Sequence, residues 1–186
     1  MDESEVYAQK NPSRADTAGL QFHDLFDLVE IQRIQDAFSL ATGVASLITD
    51  IKGHPITRPS QFRKVCSLIR TSPKGLERCI YSDALIGQKN PAGPIFGNCL
   101  SVGLLDGGTC ISIGDRQIAK WLVGQVATDE FDEVWLRKYA NEIGLDSAEL
   151  LQAMTEVPRM SKEQFGNICE ALHLICLLYT SPSPRD

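Results

Sequence analysis

The sequence predicts an α+β fold in which helices flank a central antiparallel sheet. Residues 98–126 contain three consecutive stretches that are dense in β-branched and aliphatic residues, and two turn signals, Asp106-Gly107-Gly108 and Gly114-Asp115-Arg116, separate them. Strands that are joined by such short turns pair antiparallel. Outside this block, apolar residues recur at three- and four-residue steps, which is typical of amphipathic helices.

The sequence before the sheet predicts a leader, a helix and a hairpin. Residues 1–20 mix Pro, Ser, Asp, Lys and Gly without periodicity, which indicates a flexible leader. An amphipathic helix is expected to begin at Asp27 and to end at Thr42-Gly43, because glycine favours a helix stop. In residues 44–57, two short β-prone runs flank a turn at residues 50–53, which predicts a hairpin.

Two helices are expected between the hairpin and the sheet. Ser60 is in a position to cap the first helix, whose inner face would consist of Phe62, Val65, Cys66 and Ile69. Pro73 lies at an early position of the second helix, which ends near Gly87. This second helix would place Cys79 and Asp83 one turn apart.

Three further helices are expected after the sheet. Their apolar stripes contain Phe131, Val134, Trp135 and Tyr139 in the first, Leu150, Leu151 and Met154 in the second, and Phe165, Ile168, Cys169, Leu172, Ile175 and Cys176 in the third. Ser161 is placed to cap the third helix. Residues 176–186 then turn to Ser/Pro alternation that resembles translated sequencing-adapter read-through. We therefore expect this tail to be non-native and the natural protein to continue past Ile175.

Composition excludes several classes of protein. The 43% hydrophobic and 23% charged residues are typical of a globular domain, and 186 residues suffice for one core. No apolar run reaches the roughly 18 residues of a membrane span, and the polar, acidic start is not a secretory signal. A formal charge of −6 argues against nucleic-acid binding by this segment. We expect a cytoplasmic protein.

Side-chain alternation predicts a pocket on one face of the sheet. In the last strand, strict alternation groups Ala119, Trp121, Val123 and Gln125 on one side, and Ile118, Lys120, Leu122 and Val126 on the other. In the first strand, the small residues Cys99, Ser101 and Gly103 alternate with Leu100, Val102 and Leu104. Missing bulk beside an aromatic ring and a few polar groups suits a small-molecule pocket. The alternative interpretation is that Trp121 is ordinary core packing.

Catalytic and cofactor motifs are absent from the sequence. It contains no phosphate-binding glycine loop, dinucleotide fingerprint, HExxH, GxSxG or paired CxxC pattern. The three histidines, His23, His54 and His173, have no spacing that suggests a joint role. We therefore expect a protein that is not an enzyme, and a cysteine nucleophile lacks a recognisable base partner.

The six cysteines leave three interpretations open. Without an export signal they should be reduced. Cys66, Cys79 and Cys99 could converge as ligands of a soft metal such as zinc, with Asp83 or water as the fourth ligand. They could instead pack as small buried hydrophobes, or act as redox-sensing thiols.

Several segments of the chain resemble the PocR sensory domain, a PAS-like ligand-sensing module of bacterial and archaeal regulators. The segments that carry the resemblance are residues 34–57, residues 62–83, Cys99, Gly103-Leu104, Asp106 and Gly124-Gln125-Val126. The positions that match are Cys66, Cys79, Asp83, Cys99, Asp106 and Gln125. The chain departs from the family at Leu100, where many members have a histidine, and this departure weakens the metal interpretation.

The resemblance implies a PAS-like antiparallel sheet flanked by helices, placed ahead of a DNA-binding or histidine-kinase module in a transcriptional regulator or a two-component sensor. Its effector would be a short diol or another hydrocarbon derivative, and homodimers are a further expectation. We divide the chain into the leader at 1–20, a sensory domain at 21–157, a signalling helix at 158–175 and the tail at 176–186. The candidate ligand-binding residues are Phe62, Cys66, Cys79, Asp83, Cys99, Ser101, Trp121 and Gln125. The alternative function is a metal or redox sensor centred on Cys66, Cys79 and Cys99.

Overall fold

A computed structural model describes residues 21–90, 92–114, 116–128 and 130–180. The predicted leader at 1–20 and the end of the predicted tail at 181–186 lie outside the described residues. Four strands form one open sheet: β1 (Ala45–Thr49), β2 (Ile95–Asn98), β3 (Leu105–Ile113) and β4 (Arg116–Val126). Their order is β1-β4-β3-β2, and each neighbouring pair is antiparallel. The predicted central antiparallel sheet is confirmed.

Seven helices surround this sheet in the described part of the chain. They are α1 (Phe22–Leu25), α2 (Leu28–Thr42), α3 (Lys64–Ile69), α4 (Pro73–Leu85), α5 (Glu133–Ile143), α6 (Ser147–Thr155) and α7 (Lys162–Thr180). The predicted cap of the last helix is present, because Ser161 Oγ accepts from Gln164 N at 3.1 Å. The Asp27 side chain caps α2 and accepts from Val29 N at 2.7 Å. Gly43 ends α2 with φ +75°, a left-handed conformation that glycine adopts readily. The α+β class is therefore confirmed.

The first predicted strand of the sheet is wrong. Residues 99–104 form a turn, in which Cys99 N donates to Leu104 O at 2.7 Å and Gly103 has φ +72°. The edge strand is β2, which comes just before this turn and pairs with the start of β3. The glycines of Asp106-Gly107-Gly108 mark close packing inside β3 rather than a turn, since a Cβ on Gly107 would lie 2.6 Å from Cys169 Sγ.

Three smaller expectations also need correction. Ser60 does not cap α3, because its Oγ is held by α2, where it accepts from Gln35 Nε2 at 2.7 Å, and Arg63 precedes the helix instead. The return strand of the predicted hairpin is reduced to isolated bridges to β1. Val134 and Trp135 face outward on α5, whose buried residues are Leu136, Tyr139, Ala140 and Ile143.

The sheet separates two clusters of buried apolar side chains. Helices α3, α4, α5 and α6 supply most of the cluster on one side. The other cluster combines α1, α2 and α7 with inward residues of β1, β3 and β4, and α7 lies against β3. Helix α7 runs to Thr180, through the first part of the segment expected to be a non-native tail. Within the described residues, we find no helix with the length and apolar character that a membrane crossing requires.

Candidate functional site

A cavity of about 560 Å³, including its opening to solvent, lies between the sheet and helices α3 and α4. Seven of the eight predicted ligand-binding residues line it: Phe62, Cys66, Cys79, Asp83, Cys99, Ser101 and Gln125. The structure therefore brings together residues that are as far apart in the sequence as the first turn of α3 and the end of β4.

Trp121 is the predicted site residue that the structure does not bring to this cavity. Its ring belongs to the cluster on the α7 side of the sheet and is 3% exposed. The indole Nε1 donates to Ser46 Oγ at 2.8 Å, so the polar atom of the ring is satisfied inside the fold. This placement agrees with the core-packing interpretation of Trp121.

A β-bulge explains why Gln125 reaches the cavity while Trp121 does not. In the pairing of β3 with β4, Asp106 faces Gly124 and Leu105 faces Val126, so Gln125 is an extra residue with φ +60°. The bulge reverses the alternation at this end of β4. The predicted face shared by Trp121 and Gln125 is therefore wrong. Gln125 Oε1 accepts from Arg63 N at 2.7 Å, which ties the bulge to the start of α3.

The three cysteines of the metal and redox hypotheses share the cavity wall; Cys66 and Cys79 are buried, and Cys99 is partly exposed. Burial raises the pKa of the Cys66 thiol well above its ordinary value, raises that of Cys79, and raises that of Cys99 to about 12. Protonated thiols are poor nucleophiles and poor metal ligands. Across the part of the chain that the structure describes, no three His, Cys, Asp or Glu side chains are arranged to hold a metal ion.

A buried ion pair that sequence reasoning missed crosses the cavity wall. Arg70 Nη2 donates to Asp83 Oδ2 at 2.7 Å, and the Arg70 guanidinium lies 5.3 Å from the centroid of the Phe62 ring. Burial opposes the charge of Arg70, but the Asp83 carboxylate outweighs it and raises the guanidinium pKa. Arg70 comes directly after the last residue of α3. The one sequence signal for this pair is that the short turn between α3 and α4 can bring Arg70 back to Asp83.

Asp106 is the second carboxyl group of the cavity. Its Oδ1 accepts from Gln125 N at 2.7 Å, so the bulge of β4 holds the side chain in place. Burial raises the pKa of Asp106 to about 7, and the nearby Asp83 charge acts in the same direction. A Cβ at Gly124 would lie 2.0 Å from Asp106 Oδ1, so only glycine leaves room for this carboxyl group.

Two hydroxyl groups link the cavity to its surrounding elements. Ser101 Oγ and Tyr139 OH share a hydrogen bond of 2.5 Å, which connects the 99–104 turn to α5. Ser82 Oγ accepts from Leu100 N at 3.2 Å and connects the same turn to α4. The Tyr139 ring stacks on Trp135, with 5.1 Å between the centroids and 9° between the planes.

Gly107 lies between the cavity and helix α7. Gly107 lines the cavity from β3, while on the opposite face of the strand a Cβ would meet Cys169 Sγ of α7 at 2.6 Å. No side chain therefore separates the strand from the helix at this point.

Comparison with known proteins identifies the family. The family model described as the sensory domain found in PocR matches residues 24–181, which is most of the chain. Neither a curated protein nor a solved structure gives a significant match. The matched range contains α2 to α7 and all four strands, including every residue that lines the cavity. The chain belongs to the PocR sensory domain family.

Proposed function

We propose that this chain is a small-molecule-sensing input domain that binds its effector in the cavity and relays binding to a downstream output module through α7. The observation that carries the proposal is the position of the cavity, which is bounded by polar and apolar groups on one side of β3 and lies directly behind Gly107 and α7. A sensory role for the family supports a function without catalysis.

The cavity chemistry supports a short diol or a related hydrocarbon derivative as the effector. Phe62, Ile69, Val102 and Leu122 offer apolar surface, while the hydroxyl groups of Ser82 and Ser101 and the carboxyl of Asp106 offer hydrogen bonds. A mostly apolar wall with a few placed polar groups is typical of small-ligand sites.

The relay we propose is a shift between two positions of α7. An effector changes such an equilibrium only by its different affinity for the two states. Helix α7 would follow a sensory domain at 21–157 and lead to the output module of a cytoplasmic transcriptional regulator or sensor histidine kinase. Its contact with β3 at Gly107 supports this assignment, because a small shift of the strand changes the space available to Cys169.

Calorimetry and thermal denaturation of the purified chain against short diols, alcohols and a wider small-molecule library test the proposal. We expect heat of binding and a raised Tm with at least one compound. In the variant Cys79→Met, extra volume in the cavity should abolish this response. Cys176→Met, at an equally buried site in the α7 cluster, should retain it. The proposal is wrong if no compound gives heat or a Tm shift.

The alternative of a metal or redox sensor stays open to a separate test. The shared position of Cys66, Cys79 and Cys99 in the cavity wall is the observation that supports it. Elemental analysis and thiol titration of the same preparation decide it. The alternative fails if metal is absent and a triple Cys→Ser variant keeps both its fold and its ligand response.

A further inference from the structure

The polar side chains that line the cavity differ in whether the fold satisfies them. The Ser101 hydroxyl shares a hydrogen bond with Tyr139 OH, and the Asp106 carboxyl accepts from the backbone of the β4 bulge. Arg70 is different. Its Nη2 donates to Asp83, while its Nε is buried and has no hydrogen-bond partner among the described residues.

A buried N–H group without an acceptor is costly, because it has lost its hydrogen bond to water. In the described part of the chain, one other buried side-chain nitrogen or oxygen lacks a partner, the Nε of Arg63. Arg63 does not line the cavity, and its guanidinium donates to Gly43 O. The unsatisfied donor that coincides with the cavity is therefore Arg70 Nε, and a bound molecule can supply its missing partner.

The fold restricts the orientation of the Arg70 guanidinium. Nη2 is bonded to Asp83 Oδ2 at 2.7 Å, and the guanidinium carbon lies over the Phe62 ring, 5.3 Å from its centroid. Because the guanidinium group is planar, an ion pair at one nitrogen and a ring beside the group also restrict the direction of the Nε–H bond. The donor is therefore arranged in advance for its acceptor.

The chemistry of this donor restricts the ligand. An arginine nitrogen only donates, so its missing partner is an acceptor. The carbonyl oxygen of a ketone, an amide or a carboxylate accepts and carries no hydrogen, whereas a hydroxyl group brings a further donor that the lining must satisfy. The apolar side chains of Phe62, Ile69 and Leu122 suit the carbon skeleton of such a compound. The lining therefore favours an effector with a carbonyl oxygen.

We propose that Arg70 is a ligand-binding residue whose Nε–H group donates a hydrogen bond to a carbonyl oxygen of the effector, so that the cavity selects carbonyl compounds over the corresponding alcohols. The inference rests on the proposed function and adds the ligand class and the residue that recognises it. Asp83 is a positioning residue for this contact, because its carboxylate holds the guanidinium. Ketones, amides and carboxylates share the recognised oxygen, and the choice of compounds separates the neutral group from the charged one.

Three compounds with one carbon skeleton test this selection: hydroxyacetone, which has a neutral carbonyl group, lactate, which has a carboxylate, and propane-1,2-diol, which has neither. In calorimetry with the full chain, we expect hydroxyacetone or lactate to bind roughly 10- to 100-fold more tightly than the diol, as a hydrogen bond from a charged donor allows. The tighter of the two shows whether the recognised oxygen is neutral or charged. If the wider library yields another effector, it is compared in the same way with the alcohol made by reducing its carbonyl group.

Arg70→Lys should remove this selection. The lysine ammonium keeps a positive charge beside Asp83 but lacks the second donor in a fixed plane, so the preference for the carbonyl compound over the diol should fall to about twofold or less. Arg78→Lys is the matched control. Arg78 also pairs with a carboxylate, Glu142, at 2.7 Å and lies 5.2 Å from the centroid of the Tyr139 ring, but it does not line the cavity. This control should keep the wild-type preference.

If Arg70→Lys does not fold, the double variant Arg70→Met, Asp83→Leu replaces the ion pair with apolar side chains, a change that buried pairs often tolerate, and it should lose the preference too. If neither variant folds, the order of affinities in the wild type decides. Equal or tighter binding of the diol, an effector without a carbonyl oxygen, or a full preference in a folded Arg70 variant overturns the role of Arg70 while ligand sensing stands. If neither these compounds nor the wider library binds, ligand sensing itself fails, and the role of Arg70 fails with it.

Discussion

Charged residues inside an apolar cluster distinguish this cavity from ordinary core. Removing charges from water is expensive, and a buried ion pair seldom adds net stability over apolar residues of the same volume. Arg70 and Asp83 nevertheless lie in a wall that includes Phe62, Ile69 and three thiols. Sites that contradict the simple rule of apolar interiors are commonly functional, and here they surround a single cavity.

The carboxyl group of Asp106 should make the stability of the protein depend on pH. Its pKa is raised to about 7 by burial, against 3.8 for the ordinary group. Between about pH 4 and 7 the unfolded chain releases this proton while the folded chain keeps it, so the free energy of unfolding falls as pH rises, by up to about 1.4 kcal/mol per pH unit. Below and above that window the contribution is constant.

Urea unfolding of the wild type and of Asp106→Asn across pH 4 to 8 measures this contribution. Asp83, whose pKa is raised by burial, changes stability in the same direction, and Asp36 and Asp50, whose pKa values are lowered, change it in the opposite direction at lower pH. These groups are common to both proteins, so the difference between the two curves gives the contribution of Asp106 together with its coupling to Asp83. Parallel curves over this range would contradict a protonated, buried Asp106.

Residue types and spacing predicted seven of the residues that line the cavity, but they could not predict the others. Cys66 and Cys79 were predicted because they lie on inner faces of successive helices. Gln125 was predicted from alternation in the last strand, and the resemblance to the family added Asp106. Arg70 was missed because a charged side chain beside an apolar stripe is normally a solvated one. Its burial depends on a partner in another helix, which spacing within one element does not reveal.

At the scale of elements, the cavity side of the sheet is formed where the regular alternation of side chains between the two faces is interrupted. The bulge at Gln125 directs one amide into the cavity, and the turn at 99–104 replaces a strand that alternation had predicted. The wrong face predicted for Gln125 and the wrong strand predicted at 99–104 have one cause. Glycines and extra residues change the face on which later side chains lie, and their effect depends on neighbours that are distant in the sequence.

Gly107→Ala should displace α7 from β3. The new Cβ would lie 2.6 Å from Cys169 Sγ and 2.9 Å from Phe96 Cβ, distances that real atoms do not tolerate. We expect a loss of about 1–3 kcal/mol in the free energy of unfolding, as is usual for an overpacked core, together with altered affinity for the effector. Urea unfolding and calorimetry measure the two effects.

Gly97→Ala on β2 is the control for this variant, since a Cβ there meets nothing within 4 Å. It should cost little stability and leave ligand affinity unchanged. The double variant Gly107→Ala, Cys169→Ala removes one of the two contacts and should recover part of the stability. If Gly107→Ala unfolds like Gly97→Ala, then β3 and α7 do not meet as closely as described, and the proposed relay loses its contact.

At the scale of the whole molecule, the sheet is a partition. The cavity and helices α3 to α6 lie on one side, and α1, α2 and α7 lie on the other. The periodicity of the sequence predicted the helices, but it could not assign them to a side of the sheet. Amphipathic helices that pack on opposite sides have the same pattern of apolar residues in the sequence. The assignment depends on connections and on the volumes of facing side chains.

Hydrogen exchange across the whole chain should detect the proposed relay. When the compound that binds with the highest affinity in calorimetry saturates the protein, we expect slower exchange in α3, α4 and β3, because ligand binding stabilises the folded state around the cavity. A second change should occur in α7, across the sheet, while α1 stays as it was. The filled-cavity variant Cys79→Met should show neither change with the same compound. Protection confined to the cavity walls would support binding without the relay.

The positions of the two tryptophans have a practical consequence. Trp121 is enclosed in the α7 cluster, and Trp135 stacks on Tyr139 at the surface of the cavity side, where it is 43% exposed. The protein therefore carries one tryptophan in each layer. In Trp135→Phe, tryptophan emission reports on the surroundings of Trp121 in the α7 cluster, which include Phe38 of α2. In Trp121→Phe it reports on α5 and, through Tyr139, on Ser101 at the cavity. The order in which the two emissions change after rapid mixing with an effector gives the direction and the speed of signalling through the sheet.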